Sequence, residues 1–169
     1  MTAAIVLADS LLSCLTAQLA AGPNPPAQVM LRAGSEVTPL LSTVSDECCG
    51  GLGWVRIDSI SGVRQLGERD GQLCFSQERT LTLEIGVARC APVAQSASTV
   101  PTAEQWEAVA FQLDADQGAM EAAVCCAFGS LEGTPAEEVA VGDYRPFGVD
   151  GNCIGGTMTV TLRMYACCP

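Results

Sequence analysis

The sequence predicts an α+β domain, a mostly antiparallel sheet of four to five strands with two helices packed on one face, in the order α-β-β-β-α-β-β. Three observations predict it. Leu81, Leu83, Ile85 and Val87 alternate with Thr80, Thr82, Glu84 and Gly86, and Met158, Val160, Leu162, Met164 and Ala166 alternate with Thr157, Thr159, Thr161, Arg163 and Tyr165. A period of two is that of a strand with one buried and one wet face. Two other segments repeat apolar residues at three- and four-residue steps, the period of an amphipathic helix. The strands follow one another at hairpin length between the two helices, which favours antiparallel pairing over a βαβ repeat. At 169 residues the chain reads as a single domain, 1–169, with irregular loops near 34–53, 61–73 and 145–156.

The first helix is carried by Ala8, Leu11, Leu12, Leu15 and Leu19, with Asp9, Ser13, Thr16 and Gln18 between them. It ends near Ala21, because Gly22-Pro23-Asn24-Pro25-Pro26 supplies a terminating glycine and three prolines. The apolar opening lacks the positive flank of a secretion signal, since the first basic residue is Arg32, and Asp9 interrupts it. We therefore expect a soluble chain made in a reducing cytoplasm. Gln28 to Ala33 reads as a short strand, and Gly34 to Gly53 as a Ser/Thr/Gly-rich loop. Trp54 to Ile60 alternates, with Val55 and Ile57 on one face and Trp54, Arg56 and Asp58 on the other. Gly62, Gly67 and Asp70-Gly71 mark a turn-rich excursion before the strand that begins near Arg79.

Thr102 and Gln105 have the spacing of a capping box, so the second helix starts at Ala103. Trp106, Val109, Ala110, Leu113, Met120, Val124, Ala127 and Phe128 form its apolar stripe, and Gly129 ends it. Glu138 to Tyr144 reads as a short strand, Arg145 to Gly156 as a loop, and the alternating segment from Thr157 as the final strand.

Composition narrows the chemistry. Eight basic residues against nineteen acidic ones give 8 − 19 = −11 at pH 7, a charge that repels nucleic acid. All eight are arginine, and the chain has neither lysine nor histidine, which removes the commonest general base, the Schiff-base amine and the P-loop amine. Gly50-Gly51-Leu52-Gly53 precedes a strand, whereas a phosphate-cradling loop follows one. Asp114 and Asp116 point to different sides of a helix and read as solvated, as do Glu137 and Glu138. We expect no enzyme and no cofactor.

Ten cysteines include the adjacent pairs Cys48-Cys49, Cys125-Cys126 and Cys167-Cys168, and none has the spacing of a four-cysteine zinc site, so no metal is expected. They read first as buried free thiols in an aliphatic core, with disulfides formed outside a reducing cell as the alternative. The threonine-rich faces of the two long strands carry few charges and no lysine, and so do little to prevent association between copies. The Gly/Pro-rich segment with Tyr144, Arg145 and Phe147 is equally readable as a binding loop or a surface turn.

An acidic chain of this size, with a leading helix and proline-rich connector, three strands, one long helix and a closing strand pair ending in Met158-Thr159-Val160-Thr161-Leu162-Arg163-Met164, resembles the neck and tail-completion proteins of long-tailed bacteriophages. Tail terminators are the group it resembles in particular, and the lysine-free, Ala/Gly/Arg-rich composition is similar to proteins of phages of high-GC actinobacteria. The likeness lies in element order and composition across nearly the whole chain, not in a short motif.

The resemblance implies a structural virion protein: a homo-oligomeric ring, a hexamer, at the head-proximal end of the tail. The ring would end tube growth and contact the tail tube protein and a head-side connector or stopper. DNA would pass through without specific binding, no membrane would be involved, and assembly would take place in the host cytoplasm. On this reading Thr80, Thr82, Glu84, Thr157, Thr159, Thr161, Arg163, Tyr165, Tyr144, Arg145 and Phe147 contribute subunit or partner contacts. The alternatives are another connector ring (stopper or adaptor), a secreted disulfide-stabilised binding module, and a small cysteine-dependent enzyme.

Overall fold

A computed structural model describes residues 2–32, 50–62, 65–69, 72–93, 100–150 and 152–166. Among these residues there are two helices, α1 (Ala3–Ala20) and α2 (Ala103–Phe128), and the strands β1 (Gln28–Arg32), β2 (Leu52–Gly62), β3 (Gln65–Arg69), β4 (Gln72–Cys90), β5 (Ala136–Val141), β6 (Arg145–Asp150) and β7 (Cys153–Ala166). The class is the expected α+β. Six strands share one sheet in the path β1-β2-β4-β7-β5, with β6 also on β7, and β3 pairs only the leading part of β4. Every pairing is antiparallel except β1 with β2.

The strand count exceeds the four to five expected, and two of the expected loops are the reason. Within 61–73, Gln65–Arg69 and the start of β4 form an antiparallel ladder, Leu66 opposite Phe75 and Glu68 opposite Leu73. Within 145–156, Arg145 pairs Thr157 and Phe147 pairs Gly155 across a tight return. Gly67, Gly148, Gly155 and Gly156 made these stretches read as turns, but the long partner strands β4 and β7 supply the hydrogen bonds that override that preference. The part of the 34–53 loop from 34 to 49 lies outside the described residues, and its end, from Leu52, is strand β2.

The core lies between the sheet and both helices. Val55, Leu81, Leu83, Ile85 and Val87 meet Met158, Val160, Leu162 and Met164 on one face, where the register sets Leu81 against Leu162, Leu83 against Val160 and Ile85 against Met158. Leu7, Leu11, Leu15 and Leu19 of α1 and Met120, Ala123, Val124 and Phe128 of α2 close over that face. On length and composition alone α1 could cross a membrane, but its leucine stripe is what roofs the sheet here. The α2 bounds are as expected, and the Thr102 hydroxyl accepts the Gln105 N–H while the Gln105 side chain accepts the Thr102 N–H.

Two expectations need correction. Cys14 and Cys126 are not free thiols: they form a disulfide joining α1 to α2, with a Cα–Cα distance of 5.9 Å. Cys90 and Cys153 are also disulfide-bonded, while Cys125 is an exposed free thiol. The helix periods bring Cys14 and Cys126 to the α1/α2 seam, whereas Cys125 stands about 100° away around α2. Asp116 is not solvated either. It is 2% exposed.

The reason is Arg89. Its Nε and Nη2 donate to the two Asp116 carboxylate oxygens at 2.8 and 2.6 Å, and its Nη1 donates to the Asn24 carbonyl at 2.7 Å. Gln112 adds a bond to Asp116 at 3.0 Å and accepts one from the Asn24 side chain at 2.7 Å. This network ties the end of β4, the middle of α2 and the α1–β1 connector together. A paired, fully bonded ion pair is the only form in which such charges are tolerated in a core.

Candidate assembly surface

The face of the sheet away from the helices carries most of the residues singled out from the sequence. The β4/β7 register brings them into rows: Thr80 beside Arg163, Thr82 beside Thr161, Glu84 beside Thr159, and Gly86 beside Thr157. Arg145 of β6 continues the last row next to Thr157. Thr159, Arg163 and Arg145 are exposed, whereas Thr80, Thr82, Glu84, Thr157 and Thr161 are half-buried. Tyr165 lies on β7 opposite Glu78, at a strand position of the other parity from Arg163's neighbours Leu162 and Met164.

Glu84 belongs to a cluster that the sequence did not reveal. Glu84 accepts from Arg56 through both carboxylate oxygens, Nε and Nη2 each at 2.8 Å, and from the Trp54 indole N–H at 3.1 Å. Arg56 also pairs with Asp58 at 3.0 Å. The hydrogen bond to Glu84, acting against desolvation, holds the Arg56 guanidinium above its ordinary pKa. Glu84 is therefore already engaged within its own sheet. Alternation had placed Trp54, Arg56 and Asp58 on one face, but only the β2/β4 pairing, Arg56 opposite Glu84, reveals the partner.

Trp54 is 1% exposed although it sits on the face away from the helices. Its ring lies over Gly86, where a Cβ would overlap the indole, and 6.5 Å from the Phe147 ring. Glycine is thus required at position 86 for close approach. We expect Gly86→Ala to cost about 1–3 kcal/mol, the range for forcing an extra carbon into a packed site. Urea unfolding of the variant checks this, and an unchanged midpoint would mean that the indole is free to move aside.

Tyr144 and Phe147 are not brought together. Phe147 packs with Trp54 on the outer face, but Tyr144 lies over Gly156 on the helix side, half-buried against the core. Its hydroxyl is buried with no hydrogen-bond partner among the described residues. Desolvation, and secondarily the Asp116 charge, raise its pKa above 10.0. The fold therefore holds the phenol protonated, and stability falls as pH rises through the ordinary phenol range, where the unfolded chain ionises first. Tyr144→Phe keeps the ring and deletes the unpaired hydroxyl, so we expect it to be neutral or to stabilise by about 1 kcal/mol, with a smaller alkaline loss of stability. A clear destabilisation in thermal unfolding at neutral pH would contradict this.

Arg163 bridges Glu138 at 3.1 Å and Glu78 at 3.7 Å at the surface, contacts of little energetic weight in water. The surface thus offers threonine hydroxyls, arginines and a sealed Trp54–Arg56–Glu84 cluster. Among the described residues no group of three or more metal-ligating side chains converges. No protein-family model matches the chain, and no curated protein does.

Proposed function

We propose that the chain is a structural virion protein that assembles as a ring, a hexamer, at the head-proximal end of a phage tail, ending tube growth and joining the tail to the head connector. The observation that carries this reading is the two-sided sheet. One face is roofed by both helices, and the other, among the described residues, carries no helix and bears the Thr159, Arg163 and Arg145 rows that the sequence marked for association. A net charge of −11 supports a lumen through which DNA slides without adhering. The reading assigns the protein no catalytic role. Electron microscopy of the purified chain mixed with its cognate tail tube protein tests it. Capped tubes and free rings are the expected result; a strict monomer beside uncapped, unlimited tubes would refute it.

The Cys14–Cys126 disulfide favours a second reading, a secreted disulfide-stabilised binding module. Thiol titration of denatured protein, trapped by alkylation as cells are broken, separates the two. A ring protein assembled in a reducing cytoplasm acquires its disulfides only after release and should yield close to ten thiols when trapped at that moment, whereas a secreted module yields at most six, since four cysteines are disulfide-bonded.

A further inference from the structure

The first half of α2 has no place in the core. None of residues 103–115 is buried; burial begins at Asp116 and continues through Met120, Ala123, Val124 and Phe128. An unsupported helix of about twelve residues is marginal in water. Here it is held from both ends, by the Thr102–Gln105 capping box and by the second half, which Arg89 and the core fix in place. The projecting turns are therefore a preformed surface.

That surface has a definite layout. Successive residues are about 100° apart around a helix, so Ala110, Asp114 and Glu107 stand between Trp106 and Phe111, which are themselves about 140° apart. All five are exposed, Trp106 by 41% and Phe111 by 69%. Two aromatic rings thus flank a ridge with two carboxylates, and among the described residues neither carboxylate has an ion pair. Glu107 and Asp114 are two turns apart, about 10 Å along the axis. The whole of α2 carries Glu104, Glu107, Asp114, Asp116 and Glu121 and no basic residue (0 − 5 = −5).

We infer that this face docks a basic, apolar segment of another protein, one that presents two cationic side chains about 10 Å apart between apolar ones. Trp106 and Phe111 pack the apolar groups, Glu107 and Asp114 take the cations, and a cation over either ring gains further attraction. An amphipathic helix with lysine or arginine at positions seven apart has that spacing. Because the α2 half is already ordered, binding costs little on this side. Charge and distance both argue against a second copy as the occupant. Two copies of this face repel each other. Among the described residues the exposed arginines are Arg145, opposite Thr157, and Arg163, six residues further along β7, so a copy offers cations about 20 Å apart. Arg163 is moreover bridged to Glu138 and Glu78. The inference holds for a monomer and for a ring alike.

The probe is a synthetic amphipathic peptide of leucine, alanine and two lysines seven positions apart, added to the full chain. Trp54 is 1% exposed and Trp106 41%, so a blue shift of the tryptophan fluorescence reports cover over Trp106. A saturable shift is expected, weakening as salt is added. Replacing both lysines by glutamate should weaken binding at least about tenfold, as should Phe111→Ala or the pair Glu107→Gln, Asp114→Asn in the protein. These positions are exposed, and circular dichroism of the variants checks that α2 is intact. Equal shifts with the lysine and glutamate peptides, wild-type affinity in the folded variants, or no shift up to millimolar lysine peptide overturns the docking site and leaves the ring reading untouched.

Discussion

Asp116→Ala is expected to destabilise the protein by about 3–5 kcal/mol, because it leaves the Arg89 guanidinium buried without its counter-ion. Arg89 and Asp116 are both almost inaccessible to water, and each bonds the other through two atoms. The loss has two parts. Arg89 keeps its bond to the Asn24 carbonyl but has two donors with no acceptor, and Gln112 loses its acceptor as well. A domain of this size is stable by only about 5–15 kcal/mol, so the change removes a large share of the total. Urea unfolding followed by far-ultraviolet circular dichroism measures it. The double variant Arg89→Met, Asp116→Leu separates the cost of a broken pair from the worth of an intact one. Replacing both charges with apolar groups of similar size should restore most of the lost stability. If the single variant unfolds at the wild-type midpoint, water reaches Arg89 in solution and the pair is not a core element.

Removing the Cys14–Cys126 disulfide is expected to be comparably severe. The bond joins residues 112 apart in sequence. Closing a loop of that length restricts the unfolded chain by about 4–5 kcal/mol in the chain-entropy picture, and native disulfides typically deliver about 2–5 kcal/mol when deleted. Cys14→Ser with Cys126→Ser should therefore lower the urea midpoint strongly, and a reducing agent should lower the wild-type midpoint while leaving that variant less affected. Cys126 lies ten residues from Asp116 along α2, roughly 15 Å, so the two losses should add. Identical midpoints for oxidised and reduced wild type would show that the helices are held together by packing alone. Alkylation of the native protein should modify Cys125 and spare Cys14 and Cys126.

The elements that could be read from the sequence were those whose own residues carry the full signal. Leu81 to Val87 and Met158 to Met164 alternate without interruption, so their faces were assigned before any partner was known. Thr102 and Gln105 fixed the start of α2 because a capping box is local chemistry. The strands β3 and β6 were hidden because their pairing energy resides in β4 and β7, not in the glycine-rich segments themselves. The Arg89–Asp116 network was partly in view. Asp116 precedes Met120 by one helical turn and so stands on the buried stripe, and Arg89 has the inward parity of Leu81 through Val87. A charged residue on each of two facing apolar surfaces is a pair waiting for a register, and reading Asp116 only against Asp114 missed it. For the candidate assembly surface, the sequence placed Thr159 and Arg163 on an exposed strand face and left Arg145 in a loop. It could not show that Glu84 is bound by Arg56 and Trp54, because that depends on how β2 slides against β4.

The position of β7 has a consequence for biosynthesis. Of the described strands it is the last to leave the ribosome, yet it lies inside the sheet, with β4 along one side and β5 and β6 along the other. Until translation passes Ala166, the whole length of β4 from Gln77 to Cys90 has an unmet row of backbone donors and acceptors. Such a nascent chain is a template for pairing with its neighbours on the same polysome. Ribosomes that stall before β7 should release aggregates, whereas those that finish should release a protein whose longest strand is zipped shut in one late, cooperative step.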